Sequence, residues 1–199
     1  MTTMTTIKSL ETRKLVLLAL LTAIVIVLQL LGAFVRFGPF SISLVLMPIA
    51  VGAVLINTWA GGWLGFVFGG VVLFTGDANV FLAIDPAGTI IVVILKGVLA
   101  GLAAGGAYRL LSRISKTLGA IGAAIACPII NTGVFIIGLY VFFLPTITEW
   151  AAAAGMISVM SFIFIGMVGF NFFFELGANL ILSPVIVRLI QFQQDKKVT

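Results

Sequence analysis

Six long apolar runs, separated by short polar or glycine- and proline-marked breaks, make up most of the chain. They cover residues 14–35, 41–57, 59–75, 87–112, 118–144 and 159–190. A helix needs about 20 mostly apolar residues to cross the hydrocarbon layer. A spanning backbone must also satisfy its own polar groups, which a helix does. The pattern predicts an all-α integral membrane protein, a single bundle of six transmembrane helices forming one domain over residues 1–199. The first run closes at Arg36 and Gly38-Pro39. The second is short and interrupted by Pro48, a bend tolerable only where neighbouring helices satisfy the freed carbonyl. Asn57-Thr58 reads as a very tight turn, and Pro128 lies inside the fifth run. Residues 76–86, with Asp77, Asn79 and Asp85, and residues 145–158, with Glu149 and Trp150, read as loops. The sixth run exceeds the required length, so a tilt or protrusion is expected, followed by a basic tail with Lys196 and Lys197.

Composition supports the membrane reading. Of 199 residues, 62% are hydrophobic and 9% charged, against about 25% charged in soluble domains, and the mean hydropathy is +1.31. Six spans place both termini on one side. That side holds Lys8, Arg13, Lys14, Arg109, Arg113, Lys116, Arg188, Lys196 and Lys197, nine of the 11 basic residues. Arg36 falls on the other side and Lys96 within a run. The positive-inside rule makes both termini cytoplasmic. The net charge of +5 is thus a topology signal rather than a sign of nucleic acid binding. Residues 1–14 read as a retained cytoplasmic lead-in, since the run that follows is too long for a cleaved signal. Trp150 suits the outer interface, and Trp59 and Trp63 the inner one.

Several chemistries are excluded. The chain has no histidine, which removes Ser–His and Cys–His nucleophile pairs, HExxH zinc sites and histidine-ligated haem. No G-x-x-x-x-G-K-S/T occurs, so the chain is not by itself a P-loop ATPase. The single cysteine, Cys127, forms no internal disulfide. Asp77 and Asp85 read as solvated turn acids of an outer loop rather than an intramembrane aspartyl pair. No catalytic residue, metal site or cofactor is expected in this chain.

An ionisable side chain inside an apolar span is costly by roughly 2.5–3.5 kcal/mol and calls for a partner or a task. Lys96 and Glu175 are such residues. Asn171, Glu175 and Asn179 recur every four residues and so share one helix face. Counted from the outer ends at 1.5 Å per residue, Lys96 lies about 14 Å deep, Asn171 about 18 Å, Asn131 about 20 Å and Glu175 about 24 Å. Lys96, Asn131, Thr132, Asn171 and Glu175 therefore fall near one layer, from three consecutive spans. Convergent polar groups in an apolar bundle mark a small-molecule site. A structural Lys96–Glu175 ion pair with asparagines bridging helices stands beside that reading.

Glycine recurs every four residues as Gly61, Gly65 and Gly69, and again as Gly97, Gly101 and Gly105. Both stripes read as intramolecular packing surfaces. Ala19-Leu-Leu-Thr-Ala23 is a further small-xxx-small pair, and for it too internal packing is the simpler expectation.

Several stretches together resemble the S-components of energy-coupling factor (ECF) transporters. They are Ala19-x-x-x-Ala23; Gly38-Pro-Phe-Ser-Ile-Ser-Leu-Val-Leu-Met-Pro48; Trp59-Ala-Gly-Gly-Trp-Leu-Gly-Phe-Val-Phe-Gly69; Phe81-Leu-Ala-Ile-Asp-Pro-Ala-Gly-Thr89 with Leu95-Lys-Gly-Val-Leu-Ala-Gly-Leu102; and Phe174-Glu-Leu-Gly-Ala-Asn-Leu-Ile-Leu-Ser-Pro184. The resemblance implies a multi-pass subunit in a prokaryotic plasma membrane that binds a water-soluble vitamin in the outer part of its bundle. It implies partners: a transmembrane coupling subunit, packed on Ala19 and Ala23, and two cytoplasmic ATPases that use ATP and magnesium. It also implies delivery by toppling of the whole subunit in the membrane. Lys96, Asn131, Thr132 and Asn171 would contact the vitamin, with Glu175 supporting Lys96. One ammonium with amide partners suits a small carboxylate with hydroxyl and amide groups, and pantothenate fits. Folate wants more cations; riboflavin and thiamin want more stacking rings than the sequence obviously offers. A cobalamin-type S-component stays open, as do a self-sufficient secondary transporter using Lys96 and Glu175 and a purely structural subunit.

Overall fold

Glycine lacks a Cβ, so helices presenting it at every fourth position meet backbone to backbone. In the computed structural model this is how α3 (Thr58–Thr75) and α5 (Pro86–Leu111) pack. A methyl group on Gly65 would overlap the carbonyl oxygen of Gly97, and one on Gly97 would overlap that of Gly65. Gly61 and Gly101 stand in the same reciprocal relation. Gly105 lies against Thr58, and Gly69 against Val93 and Ile94, so the two helices are antiparallel along their length. Both glycine stripes are consumed inside the bundle.

The structure describes residues 2–32, 36–37, 40–41 and 44–198, and side chains for residues 11–32, 44–169, 171–181, 183–184 and 187–188. Val35, Gly38 and Pro39, where the first run was expected to close, lie outside the described residues, as do Ile42 and Ser43 at the start of the second. The side chains of Lys8, Arg36, Lys196 and Lys197 do so too. The first element is α1 (Thr2–Gly32); β1 (Arg36–Phe37) and β2 (Phe40–Ser41) follow as a short antiparallel pair. After α2 (Leu46–Leu55) and α3 come α4 (Asn79–Leu82), α5, α6 (Lys116–Phe142), α7 (Leu144–Ala153) and α8 (Val159–Ser161). A π-helical segment, Phe162–Val168, then leads into α9 (Gly169–Val198). Two caps fix the starts of the central pair. Asn57 accepts a hydrogen bond from the Ala60 amide at 2.8 Å, and Asp85 one from the Gly88 amide at 3.0 Å, with Pro86 in the first turn of α5. Such caps satisfy amides that a helix start leaves open.

Residues Glu11–Gly32 of α1 together with α3, α5 and α6 are four helices long and apolar enough to cross a membrane. Val159–Val168 and Asn171–Ile181, bent by 48°, form a fifth span if counted as one. The second run differs from expectation. Its helix holds ten residues, about 15 Å at 1.5 Å per residue, half of the roughly 30 Å hydrocarbon layer. Pro48 sits in its first turn, where a proline removes no helical hydrogen bond, so no kink arises. Leu46 and residues 48–53 are buried: α2 is apolar all round because it fills the centre of the bundle. Residues 145–158 are not simply a loop either, since α7 occupies most of them and buries Ile147 and Ala151. The sixth run bends instead of merely tilting. At the π segment a Cβ on Gly169 would strike the Phe164 carbonyl, so only glycine admits this turn. The basic tail continues α9 rather than leaving it.

Tight turns and lateral contacts order the ends of the bundle. α5 and α6 are joined at residues 112–115, which puts Arg109, Arg113 and Lys116 together. Thr117 and Arg188 line one groove at that end. Trp63, near the start of α3, donates to Thr22 of α1 at 3.3 Å, and Gln29 further along α1 reaches Asp77 beyond the end of α3. α1 therefore runs parallel to α3, and its early residues Arg13 and Lys14 lie at the start of α3, the same basic end. Ala19 and Ala23 are exposed on the outer side of α1, so they are not used for packing within the chain. Around the bundle Phe74, Ile165, Phe173 and Ile181 are largely exposed, an apolar surface suited to lipid.

The glycine contact leads to a stability test. Gly65→Ala must push α3 from α5, and overpacking of this kind costs about 1–3 kcal/mol. The melting midpoint in detergent should fall by several degrees. Gly70→Ala meets nothing within 4 Å and should leave the midpoint unchanged or raise it, because alanine is the better helix former. Equal midpoints for the two variants would contradict the backbone contact.

Candidate functional site

Because Gly97 is pressed onto α3, Lys96, one residue back and about 100° round the helix, projects beside that contact. It enters a cavity of about 90 Å³ between α3, α5, α6 and the last helix. Lys96, Asn131, Thr132, Asn171 and Glu175 all line it, so the structure brings the five polar residues of the fourth, fifth and sixth runs to one place. Val72 and Phe68 of α3 and Val93 of α5 also line it. These belong to the late part of α3 and the early part of α5, which places the cavity in the half of the bundle away from Arg109, Arg113 and Lys116.

The ammonium of Lys96 lies 5.2 Å from the centre of the Phe135 ring and 5.6 Å from that of Phe68. Such contacts hold a cation over the negative face of each ring. Glu175 and, more weakly, Asp77 act on it electrostatically. Glu175 is 3% exposed; its Oε1 accepts from Asn171 Nδ2 at 3.2 Å, and its backbone carbonyl accepts from Asn179 Nδ2 at 2.8 Å. The four-residue spacing of Asn171, Glu175 and Asn179 thus forms an internal ladder on α9. The ladder divides by position. Asn171 and Glu175 line the cavity, whereas Asn179 is buried beyond it. The side-chain oxygens of Asn131 and Asn171 are buried without a hydrogen-bond partner among the described residues, although both groups line the cavity. A buried amide oxygen left so costs about 1–3 kcal/mol unless a donor meets it; Asn179 Oδ1, beyond the cavity, is in the same state among the described residues.

Two wall residues were not among the sequence candidates. Gln29, 2% exposed, is the one amide of the first apolar run, and its Nε2 donates to Asp77 Oδ2 at 2.8 Å. Thr75 Oγ1 donates to the same oxygen at 3.3 Å. From the sequence, Asp77 is expected to be a solvated turn acid, like Asp85. Asp85 is a turn acid that caps α5, but Asp77 lines the cavity, because the left-handed Gly76 ends α3 and lets the chain fold over the bundle. The aromatic expectation is also corrected. Phe68, Phe81, Phe135 and Phe172 line the cavity, more ring surface than the sequence revealed. Phe81 continues into an outer cluster with Phe143 at 5.0 Å and Trp150 at 6.0 Å. Trp150, itself on α7, is thereby partly buried against this cluster.

The family model for the ECF transporter substrate-specific component matches residues 13–187, and the chain belongs to that family. It is a membrane-embedded transporter component, not an enzyme. No curated protein and no solved structure matches it.

Asn171 and Asn179 separate a ligand role from a bracing role. Asn171→Ala should weaken ligand binding about fivefold, the effect of one neutral hydrogen bond of roughly 1 kcal/mol. Asn179→Ala should lower the melting midpoint and leave affinity nearly unchanged. Titration calorimetry beside thermal melts checks both, and equal loss of affinity in the two variants would contradict the division.

Proposed function

We propose that this chain is the high-affinity substrate-binding subunit of an ATP-driven vitamin importer, and that its ligand is a small monocarboxylate, pantothenate being the vitamin that fits best. The observation that carries this reading is the cavity that unites Lys96 with Asn131, Thr132 and Asn171. A buried ammonium with amide neighbours matches a carboxylate followed by amide and hydroxyl groups, because charge-assisted hydrogen bonds are the strong ones. The walls of Val72, Val93 and phenylalanine rings suit the branched apolar part of such a molecule.

Orientation follows the charges. The basic end of the bundle faces the cytoplasm, both termini with it, and the cavity faces outward in a six-span topology in which α2 is the short inner member. Ala19 and Ala23, open on α1, offer a close-approach surface to a transmembrane coupling subunit. Two cytoplasmic ATPases supply the energy from ATP with magnesium, and toppling of this subunit in a prokaryotic plasma membrane delivers the vitamin inward.

One observation favours a second reading. The buried stripe continues below the cavity through Asn179 and Ser183 to the groove lined by Thr117 and Arg188. Buried polar residues of this kind mark ion pathways in self-sufficient transporters. Gradient-driven uptake by the purified chain alone would support that reading against the first.

Calorimetric titration of the purified chain against water-soluble vitamins tests the proposal. Pantothenate should bind and cobalamin should not. Lys96→Ala should weaken pantothenate by at least about tenfold, as expected for a hydrogen bond to a charged group. Unchanged affinity would remove the carboxylate role. In the assembled importer, Ala19→Leu or Ala23→Leu should abolish ATP-dependent uptake with titration unaltered, and equal loss of both would refute the coupling surface.

A further inference from the structure

A groove of about 310 Å³ lies apart from the Lys96 cavity, between the start of α6 and the last part of α9. Thr117, Ile121, Ser183, Pro184, Val187 and Arg188 line it. Asn131 of α6 and Asn171 of α9 meet at the Lys96 cavity, whereas Thr117 and Arg188 meet here, so the two helices are antiparallel. Thr117 and Arg188 therefore stand at the mouth, nearest the basic end. Ile121 and Pro184, four residues further in on each helix, lie about 6 Å deeper. The deeper wall has one polar group, the Ser183 hydroxyl, which donates to the Leu180 carbonyl at 2.8 Å. Pro184 has no N–H for that carbonyl, so the hydroxyl repairs the helix and the wall stays apolar in effect. The mouth is cationic. Arg188 is exposed there, with Arg109, Arg113 and Lys116 exposed on the neighbouring turn. No acidic residue occurs in residues 86–148, and none of the described residues lining the groove is acidic. Glu11 is the described acid at this end and is not among them. Leu110, Ile114 and Leu118 are exposed between these bases. Bases interleaved with exposed apolar side chains suit the boundary where hydrocarbon meets headgroups.

We propose that this groove binds an anionic phospholipid from the leaflet on the basic side of the bundle. Its phosphate sits at Arg188 and Thr117, and an acyl chain lies along Ile121, Pro184 and Val187. A guanidinium presents a planar fork of donors that matches a phosphate, and the threonine hydroxyl adds one more. Arg109, Arg113 and Lys116 contribute a positive field, which reaches about 8 Å at physiological salt. Basic pockets between transmembrane helices hold anionic headgroups in this way. The shape selects the lipid over a soluble anion, because a free phosphate uses the mouth and leaves the apolar part unfilled. The charge selects an anionic lipid over a zwitterionic one, whose own cation would meet the bases. The inference does not depend on which vitamin the Lys96 cavity takes.

Native mass spectrometry of the purified full chain, titrated with dioleoylphosphatidylglycerol and with dioleoylphosphatidylcholine, tests the site. Wild type should hold the anionic lipid at least about tenfold more tightly, the margin expected for hydrogen bonds to a charged group. Arg188→Gln should remove most of that preference. Ile121→Trp, which fills the apolar part and keeps every charge, should also weaken the anionic lipid. Arg113→Gln, off the groove, should change its affinity by less than about twofold, as for an exposed charge. Inorganic phosphate should not displace the lipid. Thermal melts verify folding, and if Arg188→Gln does not fold, Thr117→Val and Ile121→Trp carry the test. Equal affinity for the two lipids overturns the proposal. Equal effects of Arg188→Gln and Arg113→Gln reduce it to diffuse attraction and overturn it as well. Displacement by inorganic phosphate assigns the groove to a soluble anion, and displacement by an added coupling subunit assigns it to protein contact; either result overturns the lipid site.

Discussion

The backbone contact between α3 and α5 governs the rest of the molecule. Gly61 with Gly101 and Gly65 with Gly97 leave no room for a methyl group on either side, so the register of the two helices is fixed by sterics rather than by side-chain preference. In lipid no hydrophobic force drives helices together, and close van der Waals contact does that work instead. The register has a functional result. With Gly97 locked against α3, Lys96 must project toward α6 and α9, and the helices end together where Asp77 turns over the bundle. The short helix α2 fills the centre and leaves the cavity to form nearer the loop end.

Electrostatics in that cavity is a balance of a few named groups. Two phenylalanine rings and the nearby carboxylates accommodate the Lys96 ammonium in an apolar interior, and the Asn171 amide braces Glu175. The outer cluster of Phe81, Phe143, Ile147 and Ile163 closes the wall above, partly through α7. Because Phe81, Met167 and Val168 belong both to this cluster and to the cavity lining, movement of α7 or of the π segment bears directly on the cavity. A π segment of this kind often accompanies a functional site, and here it immediately precedes Asn171.

The parts of the fold that depend on local pattern were legible in the sequence. The expected spans at 59–75, 87–112 and 118–144 fall within two residues of α3, α5 and α6. The glycine stripes were legible as packing surfaces, and counting depth along three helices placed Lys96, Asn131 and Asn171 near one layer. What escaped depends on tertiary placement. Asp77 and Asp85 look alike as loop acids, and only the fold shows that one caps a helix while the other faces a cavity with Gln29. The extent of α2 was hidden because an apolar run reads the same whether it crosses a membrane or fills a core. The bend at Gly169 follows from a π turn that leaves apolar periodicity nearly intact. Ala19 and Ala23 gave no sign of pointing outward, since small residues serve internal and external contacts equally well.

The central claim is that the Lys96 cavity opens to the outside and holds the vitamin. Its most direct test is a single-cysteine probe, Thr132→Cys in a Cys127→Ala background, in membrane vesicles of known orientation. A membrane-impermeant maleimide should label the probe from the outer face only, and saturating pantothenate should slow labelling at least about tenfold, as for a site that is mostly occupied. Labelling from the cytoplasmic face, or a rate indifferent to every vitamin offered, would contradict the account.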